Sequence, residues 1–138
     1  VTASGIEKGR QLADLHRTEV DFFQADLLNY QPESIFDIVF SSGVLQYIPP
    51  TERRRVLDGY KAHTAVGGIH VLNVFVDKPF LPVPPDWEEG EAFWSSGELL
   101  SCYADWKTEQ LEERIFDCDS SGIPHQHCMD VLIARKMV

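Results

Sequence analysis

The sequence predicts an α/β fold in which helices cover a mostly parallel sheet. Helix and strand patterns alternate along the 138 residues, and such alternation is typical of parallel sheets. Residues 36–40 are apolar apart from Asp37, which indicates a strand buried on both faces and makes this run the candidate central strand. With 43% hydrophobic residues, a chain of this size can bury about two thirds of its unfolded surface. We therefore expect residues 1–138 to form a single domain.

The chain begins with a predicted helix and a short predicted strand. Ser4 and Glu7 have the spacing of a capping box, which places a helix over residues 4–16. Residues 19–24 predict a strand that ends just before Asp26. Open α/β sheets bind ligands at the carboxyl ends of their strands, so Asp26 is a candidate binding residue.

A second helix and strand follow the candidate central strand. Thr51 can cap a helix over residues 51–64, which Gly67 and Gly68 end. The core-facing positions of this helix are Val56, Leu57, Tyr60 and His63. Residues 69–76 then predict the next strand.

Residues 77–94 predict a long surface loop. They contain four prolines, and proline lacks the N–H that an inner strand must donate. The segment is long enough to act as a lid or as a wall of a substrate site. Its acidic side chains, which we expect to be solvated rather than functional, are Asp86, Glu88, Glu89 and Glu91.

The C-terminal part predicts one helix and an antiparallel pair of strands. Ser95 and Glu98 have the spacing of a second capping box, which starts a helix over residues 95–104. Residues 106–116 and 129–134 read as two strands, and the turn-rich segment between them indicates that they pair antiparallel.

The composition excludes several classes of partner. A net charge of −10 disfavours nucleic acid and anionic membranes, because the field of the chain repels both. The short basic run Arg53, Arg54 and Arg55 is interpreted as a solvated helix face.

Three widely spaced cysteines favour reduced thiols over a disulfide framework. Without a signal peptide or an apolar run of about 20 residues, we expect a soluble, cytoplasmic protein.

Several segments resemble S-adenosylmethionine (SAM)-dependent methyltransferases of the tellurite-resistance, TehB-like family. Residues 24–28 and 36–50 resemble the middle of the family, and residues 61–75 its next helix and strand. Residues 93–106 and 130–136 are similar to its C-terminal half. The resemblance implies a truncated, Rossmann-like class I methyltransferase sheet, with helices on both faces and a C-terminal antiparallel strand pair.

One part of the family pattern is missing from this sequence. The family opens with a strand that ends in a glycine-rich loop, and the 138 residues contain no G-x-G. Residues 1–3 resemble the tail of the family's second strand, where an acidic residue would bind the ribose hydroxyls, but Ser4 follows directly. We therefore expect an N-terminally incomplete domain that carries about half of a cofactor site.

The resemblance implies that SAM is the cofactor and suggests which residues bind it. Asp26 would accept a hydrogen bond from the adenine amino group while the Leu27 N–H donates to a ring nitrogen. The alternative is that Asp26 only makes a turn, as Asp often does. The small residues that would let the cofactor approach the strand end are Ser41, Ser42 and Gly43. Leu45 or Tyr47 would pack on its rings.

His125 and His127 are the candidate catalytic residues. In a methyltransferase they would orient the methyl acceptor or take its proton, a role that suits a side chain titrating near neutrality. Cys118 and Cys128 could complete a metal site with the two histidines. Residues 127 and 128 point to opposite sides of a strand, however, so we prefer a plain hairpin and predict no metal.

Two functions remain open at this point. The first is SAM-dependent methyl transfer to a small acceptor, for which the resemblance suggests a metalloid oxyanion or a thiol. The second is a noncatalytic binding or scaffold domain that has lost cofactor binding. The partners expected are a small-molecule substrate and a second copy of the chain, in a dimer that would cover a sheet edge exposed by the missing first strand. A chain shortened from a longer parent would explain the same gap.

Overall fold

The computed structural model describes residues 3–138, so the predicted strand tail at Val1 and Thr2 lies outside the described residues. The chain divides into two compact units. The N-terminal unit ends at Tyr30, and the C-terminal unit comprises residues 31–138.

The N-terminal unit contains one helix and an irregular segment. Helix α1 covers Ala3–His16, close to the predicted 4–16, and it includes Ala3 rather than leaving it in a strand. The prediction of a strand over residues 19–24 is wrong, because this segment is neither helix nor strand. A strand needs a neighbouring strand for its backbone hydrogen bonds, whereas here Phe22 packs its ring against Gly9 of α1.

The C-terminal unit is built on a mixed four-stranded sheet. Its strands are β1 (Phe36–Ser41), β2 (Thr64–Phe75), β3 (Lys107–Cys118) and β4 (His125–Arg135). Their order in the sheet is β1-β2-β4-β3. The β1–β2 pair is parallel, and β4 is antiparallel to both β2 and β3. The predicted C-terminal antiparallel pair is therefore confirmed, and β4 begins early enough to include both candidate histidines.

Strand β1 lies at the edge of this sheet and not at its centre. Among the described residues it pairs with β2 alone. The side chains of Ile38 and Phe40 remain 62% and 69% exposed. The apolar run that predicted a strand buried on both faces was thus misleading, since composition shows that a strand is apolar but does not show which neighbours cover it.

The second helix, α2, covers Arg53–Ala62 and buries Val56 and Leu57 as predicted. Thr51 is not its cap, because Glu52 holds the N-cap position without a side-chain hydrogen bond. The helix also ends well before the glycines, since β2 begins at Thr64, where the chain pairs with β1.

Gly68 is required by the close approach of β1 and β2. An added Cβ there would lie 2.9 Å from the carbonyl oxygen of Asp37 in β1. This distance is shorter than real Cβ atoms show.

Arg53 is a core residue, which corrects its interpretation as part of a solvated basic face. Its side chain is 3% exposed and forms an ion pair with Glu98, in which Nη1 donates to both carboxylate oxygens at 2.9 Å. The same guanidinium donates to the carbonyls of Ala92 and Phe93 and lies 4.2 Å from the ring centroid of Trp94. Arg53 therefore joins α2 to the chain that precedes the third helix.

The third helix, α3, is only Glu98–Ser101, shorter than the predicted 95–104. The backbone N–H of Ser95 donates to the Glu98 carboxylate at 2.9 Å, which is half of the predicted capping box. Residues 77–93 form no helix or strand, as the prolines predicted. None of the helices described in residues 3–138 combines the length and the apolar character needed to cross a bilayer.

The core lies against one face of the sheet, where alternate residues of β2 and β4 are buried. Its members from these strands and the adjoining Val76 include Leu72, Val74, Val76, Leu132 and Ala134. His70 is fully buried between the Thr64 hydroxyl, 2.8 Å from its Nε2, and the Tyr103 hydroxyl, 2.7 Å from its Nδ1. Because Thr64 donates its own proton to the Tyr60 carbonyl, it accepts from His70 Nε2–H, and Tyr103 donates to Nδ1. A neutral imidazole satisfies this network completely.

Candidate functional site

The candidate site lies at the carboxyl edge of the parallel strands. Strand β1 ends at Ser41 and β2 at Phe75. Strand β4 runs in the opposite direction, so its first residues, beginning at His125, lie at the same edge. This edge is where open α/β sheets bind ligands.

The loop after β1 is held by Asn73, a polar residue near the end of β2. The Gly43 N–H donates to Asn73 Oδ1 at 3.0 Å, and Asn73 Nδ2 donates to the Ser42 hydroxyl at 2.9 Å. Gly43 has a φ of 64°, a conformation that favours glycine, and a Cβ placed there would meet nothing within 4 Å. The predicted small residues thus form an ordered turn with open space beside it.

Leu45 and Tyr47 follow in a 3₁₀ helix, Leu45–Tyr47. Leu45 is buried in the core, which leaves Tyr47 as the one of the two that an external molecule could reach. A hydrogen bond to Glu91 raises the pKa of Tyr47. Gln46 also donates to Glu91, while its own Oε1 is buried without a hydrogen-bond partner. The loop after β1 is therefore tied to the segment that contains Glu91.

Asp26 and Leu27 lie in the N-terminal unit, after the irregular segment. The Asp26 carboxylate accepts hydrogen bonds from the backbone N–H of Leu28, at 3.0 Å, and from the side-chain amide of Asn29. This is the turn-forming role that the sequence analysis gave as the alternative. The side chain is nevertheless exposed, and two carboxylate oxygens together offer about four acceptor positions.

The two candidate histidines lie together on one face of β4. Their Nε2 atoms are 3.0 Å apart, and both side chains are about 95% buried, at 5% and 6% exposed. Asp86 Oδ1 lies 3.0 Å from His125 Nε2 and 3.5 Å from His127 Nε2. The hydroxyl of Ser120 donates to the other Asp86 oxygen and is the main reason that the pKa of Asp86 is lowered.

Cys118 completes this cluster, and Cys128 does not belong to it. Cys118 is directly opposite His125 in the β3–β4 ladder, and its Sγ lies 3.2 Å from the Ser120 hydroxyl. Cys128 is buried, and burial raises the pKa of its thiol. From the sequence we considered Cys118 and Cys128 together with the two histidines and set that combination aside, whereas the structure groups Asp86 and Cys118 with the histidines. The sequence argument that residues 127 and 128 face opposite sides is confirmed.

A cavity of ≈180 Å³ adjoins the histidine cluster. Its aromatic walls are Phe75, Trp87 and Phe116, and its polar lining includes Asp86, Glu91 and His127. The Phe75 ring centroid lies 4.9 Å from that of His127 and 5.9 Å from that of Trp87. The Trp87 ring in turn stacks on Phe93 at 3.7 Å. The proline-rich segment thus supplies one wall of the cavity, as the sequence suggested.

Three residues of this site were missed from the sequence. Asn73 could have been found, because it is the polar residue within an otherwise apolar strand near the carboxyl edge. Asp86 and Glu91 carried no such signal, since both lie in an acidic stretch that reads as solvated surface.

Solved structures with the same arrangement of elements identify the fold. TehB from Haemophilus influenzae superposes with a TM-score of 0.85 at 17% identity, over 98% of this chain and 47% of that one. The N-methyltransferase NodS from Bradyrhizobium japonicum, solved with S-adenosylhomocysteine, gives 0.67 at 16% identity, over 94% and 61%. The chain has the fold of SAM-dependent methyltransferases. The resemblance seen in the sequence is therefore confirmed at the level of the fold.

A third structure with the methyltransferase fold contains both cofactor product and substrate. It is the 1,6-didemethyltoxoflavin-N1-methyltransferase from Burkholderia thailandensis, solved with 1,6-didemethyltoxoflavin and S-adenosylhomocysteine. Its TM-score is 0.67 at 17% identity, over 95% of this chain and 57% of that one. This chain spans about half of the length of TehB and about three fifths of the other two. The sequence matches no protein-family model and no curated protein at a significant level.

Proposed function

We propose that this chain takes part in SAM-dependent methyl transfer to a small acceptor. The observation that carries the proposal is the ordered turn at Ser41, Ser42 and Gly43, which lies at the carboxyl edge of a methyltransferase fold. The cavity beside His127 opens at the same edge. A cofactor position and an acceptor position would then be neighbours.

The residues of the turn fit a nucleoside cofactor. Gly43 presents no side chain toward the open space, so a ligand could approach the backbone there. The exposed Tyr47 ring would pack on the cofactor, in place of the buried Leu45. SAM, when bound, supplies an activated methyl group, so the protein needs chiefly to align the acceptor and to exclude water.

Asp26 and Leu27 would recognise the adenine. The Asp26 carboxylate keeps acceptor positions beyond those used by Leu28 and Asn29, and one of these would accept the adenine amino group. The Leu27 N–H would donate to a ring nitrogen. Adenine presents this pairing of donor and acceptor, so the pair would discriminate it from other bases.

His125 and His127 would orient the acceptor or take its proton. His127 lines the cavity, and the aromatic walls favour a compact group that can be held away from water. The TehB-like resemblance favours a metalloid oxyanion or a thiol as this acceptor.

Calorimetric titration with SAM tests the cofactor half of the proposal. We expect saturable, micromolar binding that weakens by at least about tenfold in Asp26→Ala, which corresponds to roughly 1.4 kcal/mol. Asn29→Ala is the matched control, because it removes a partner of Asp26 from the same turn and leaves the carboxylate in place. The absence of heat at about 1 mM SAM would favour the alternative function, a noncatalytic binding or scaffold domain.

We also propose that the chain associates with a second copy of itself. The support is β1, an edge strand with exposed Ile38 and Phe40 side chains, since such edges pair readily with other strands. Size-exclusion chromatography with light scattering should show a dimer that Ile38→Lys shifts toward monomer. A monomer at all concentrations would contradict this proposal without affecting the cofactor site.

The cysteines support a reducing compartment. All three are free thiols, and Cys102 and Cys128 are buried. Because unpaired thiols persist where glutathione keeps proteins reduced, we propose that the protein works in the cytoplasm.

A further inference from the structure

We propose that the end of the β3–β4 hairpin binds a divalent transition-metal ion, with Zn²⁺ the best match. The four ligand side chains are Asp86, Cys118, His125 and His127. One possible ligand atom from each lies within 4.8 Å of all the others. From the sequence we predicted no metal here, because Cys128 stood in place of Asp86 in the ligand set considered.

The spacing of three of these atoms is near that of a tetrahedral site, and Cys118 Sγ lies within 4.8 Å of them. With bonds of about 2.0–2.1 Å to nitrogen or oxygen and about 2.3 Å to sulfur, neighbouring ligand atoms in a tetrahedral zinc site lie roughly 3.3–3.6 Å apart. His127 Nε2 and Asp86 Oδ1 are 3.5 Å apart, and His125 Nε2 lies 3.0 Å from each of them. Small side-chain rotations would therefore bring the ligands into place.

The hydrogen bonding leaves lone pairs aimed at one point. His125 Nδ1 lies 2.7 Å from the carbonyl oxygen of Ile123, and since a carbonyl only accepts, Nδ1 carries the proton of the neutral ring. In the neutral ring, His125 Nε2 is therefore a bare acceptor that faces His127 Nε2 and Asp86 Oδ1. Asp86 Oδ1 is buried and has no hydrogen-bond partner, although it lies 3.0 Å from that nitrogen.

A divalent cation would interact favourably with more of these acceptor atoms than a single proton can. His127 Nδ1 is buried without a hydrogen-bond partner, so a metal-free, neutral His127 is best satisfied with its one proton on Nε2, where that proton could serve either His125 or Asp86 but not both fully. Burying an unsatisfied carboxylate oxygen beside two nearly buried imidazoles is costly. A divalent ion at the common point would satisfy both Nε2 lone pairs and Asp86 Oδ1 at once, and it would place the His127 proton on Nδ1, which is buried without a hydrogen-bond partner.

The ligand types select the ion. Two imidazoles, one thiolate and one carboxylate form a mixed set that suits Zn²⁺, whereas Mg²⁺ and Ca²⁺ prefer oxygen ligands alone. Three of the four ligands also have the outer contacts that are typical of metal sites, whereas His127 Nδ1 is buried without a hydrogen-bond partner. His125 donates to a backbone carbonyl, and Ser120 hydrogen-bonds to Asp86 and lies against Cys118.

Metal binding here does not require methyl transfer, but it restricts the role proposed above for the two histidines. A bound ion would occupy both Nε2 lone pairs, so the histidines could then orient an acceptor only through the metal and could not take its proton. Because the ion also adjoins the cavity lined by Phe75 and Trp87, an acceptor held there would lie near its charge.

Titration of the metal-free chain with Zn²⁺ and Co²⁺ tests the site. We expect binding near one equivalent, and with Co²⁺ the visible bands of a tetrahedral ion together with a thiolate charge-transfer band. His127→Ala should weaken Zn²⁺ binding by at least about 100-fold, and Ser120→Ala by about tenfold. His16→Ala is the control for incidental histidine binding, because His16 lies exposed at the end of α1.

The cysteines give the sharpest comparison. The thiolate band should disappear in Cys118→Ala and persist in Cys128→Ala. If His127→Ala fails to fold, Cys118→Ala and Asp86→Asn decide the matter, since neither residue is in the core. The proposal is overturned if the unaltered chain binds no Zn²⁺, if His16→Ala abolishes binding, or if the band depends on Cys128. The cluster would then be held by the contacts among Asp86, His125 and His127 alone.

Discussion

Replacing Arg53 by methionine should destabilise the C-terminal unit severely. The side chain is 3% exposed, and its guanidinium makes hydrogen bonds to Glu98 and to the carbonyls of Ile48, Ala92 and Phe93. Methionine keeps much of the aliphatic volume but leaves these acceptors without their donor. The change also removes the cation that lies 4.2 Å over the Trp94 ring.

The size of the effect follows from the burial of the ion pair. Removing one member of a buried pair costs about 3–5 kcal/mol, because the other charge is left uncompensated. Glu98 is 28% exposed, so water recovers part of its solvation and the lower end of that range is expected. For a chain of this length, about 3 kcal/mol corresponds to a fall in melting temperature of roughly 10 °C.

The assay is urea and thermal unfolding followed by tryptophan fluorescence. All three tryptophans lie in residues 31–138, so the signal reports on the C-terminal unit. Arg54→Met is the matched control, because Arg54 is the next residue of α2 and is exposed, and its loss should cost less than about 0.5 kcal/mol. If the two variants unfold within about 1 kcal/mol of each other, the structural role of Arg53 is refuted.

Two further predictions concern β2. Burial, and to a smaller extent the charges of nearby lysines, lowers the pKa of His70 from 6.5 to about 4. Between these pH values the unfolded chain binds more protons than the folded chain, so the free energy of unfolding falls as the pH drops from 6.5 toward 4. The stability lost through His70 should approach about 3 kcal/mol. Urea unfolding at several pH values should show that His70→Gln removes most of this pH dependence, and an unchanged pH dependence would contradict the role given to His70. Gly68→Ala should cost about 1–3 kcal/mol because its Cβ would meet the Asp37 carbonyl oxygen at 2.9 Å. Gly59→Ala is the control, because Gly59 lies within α2 and the nearest atom to its added Cβ would be 3.8 Å away, so this change should be neutral or stabilising. Equal effects of the two alanine changes would show that the close contact at Gly68 is relieved at no cost.

Local sequence patterns predicted most of the helices and strands and the pair of candidate histidines. The capping-box spacing placed α1, the apolar positions Val56 and Leu57 placed α2, the prolines placed the long loop, and the turn-rich segment placed the β3–β4 hairpin. These features depend on residues close together in the sequence, so the sequence alone determines them. The pairing of His125 with His127 belongs to the same class, because residues two apart in a strand share a face.

The tertiary structure decided which residues meet across long separations. The sequence predicts that Arg53 is one of three exposed arginines, but in the structure it is paired with Glu98, which lies 45 residues away in the chain. Asp86 reads as solvated until the proline-rich loop brings it to His125. Strand β1 reads as central until the sheet order places it at an edge. In each case the environment of a side chain is set by its partners from other segments, and composition or periodicity near the residue does not contain that information.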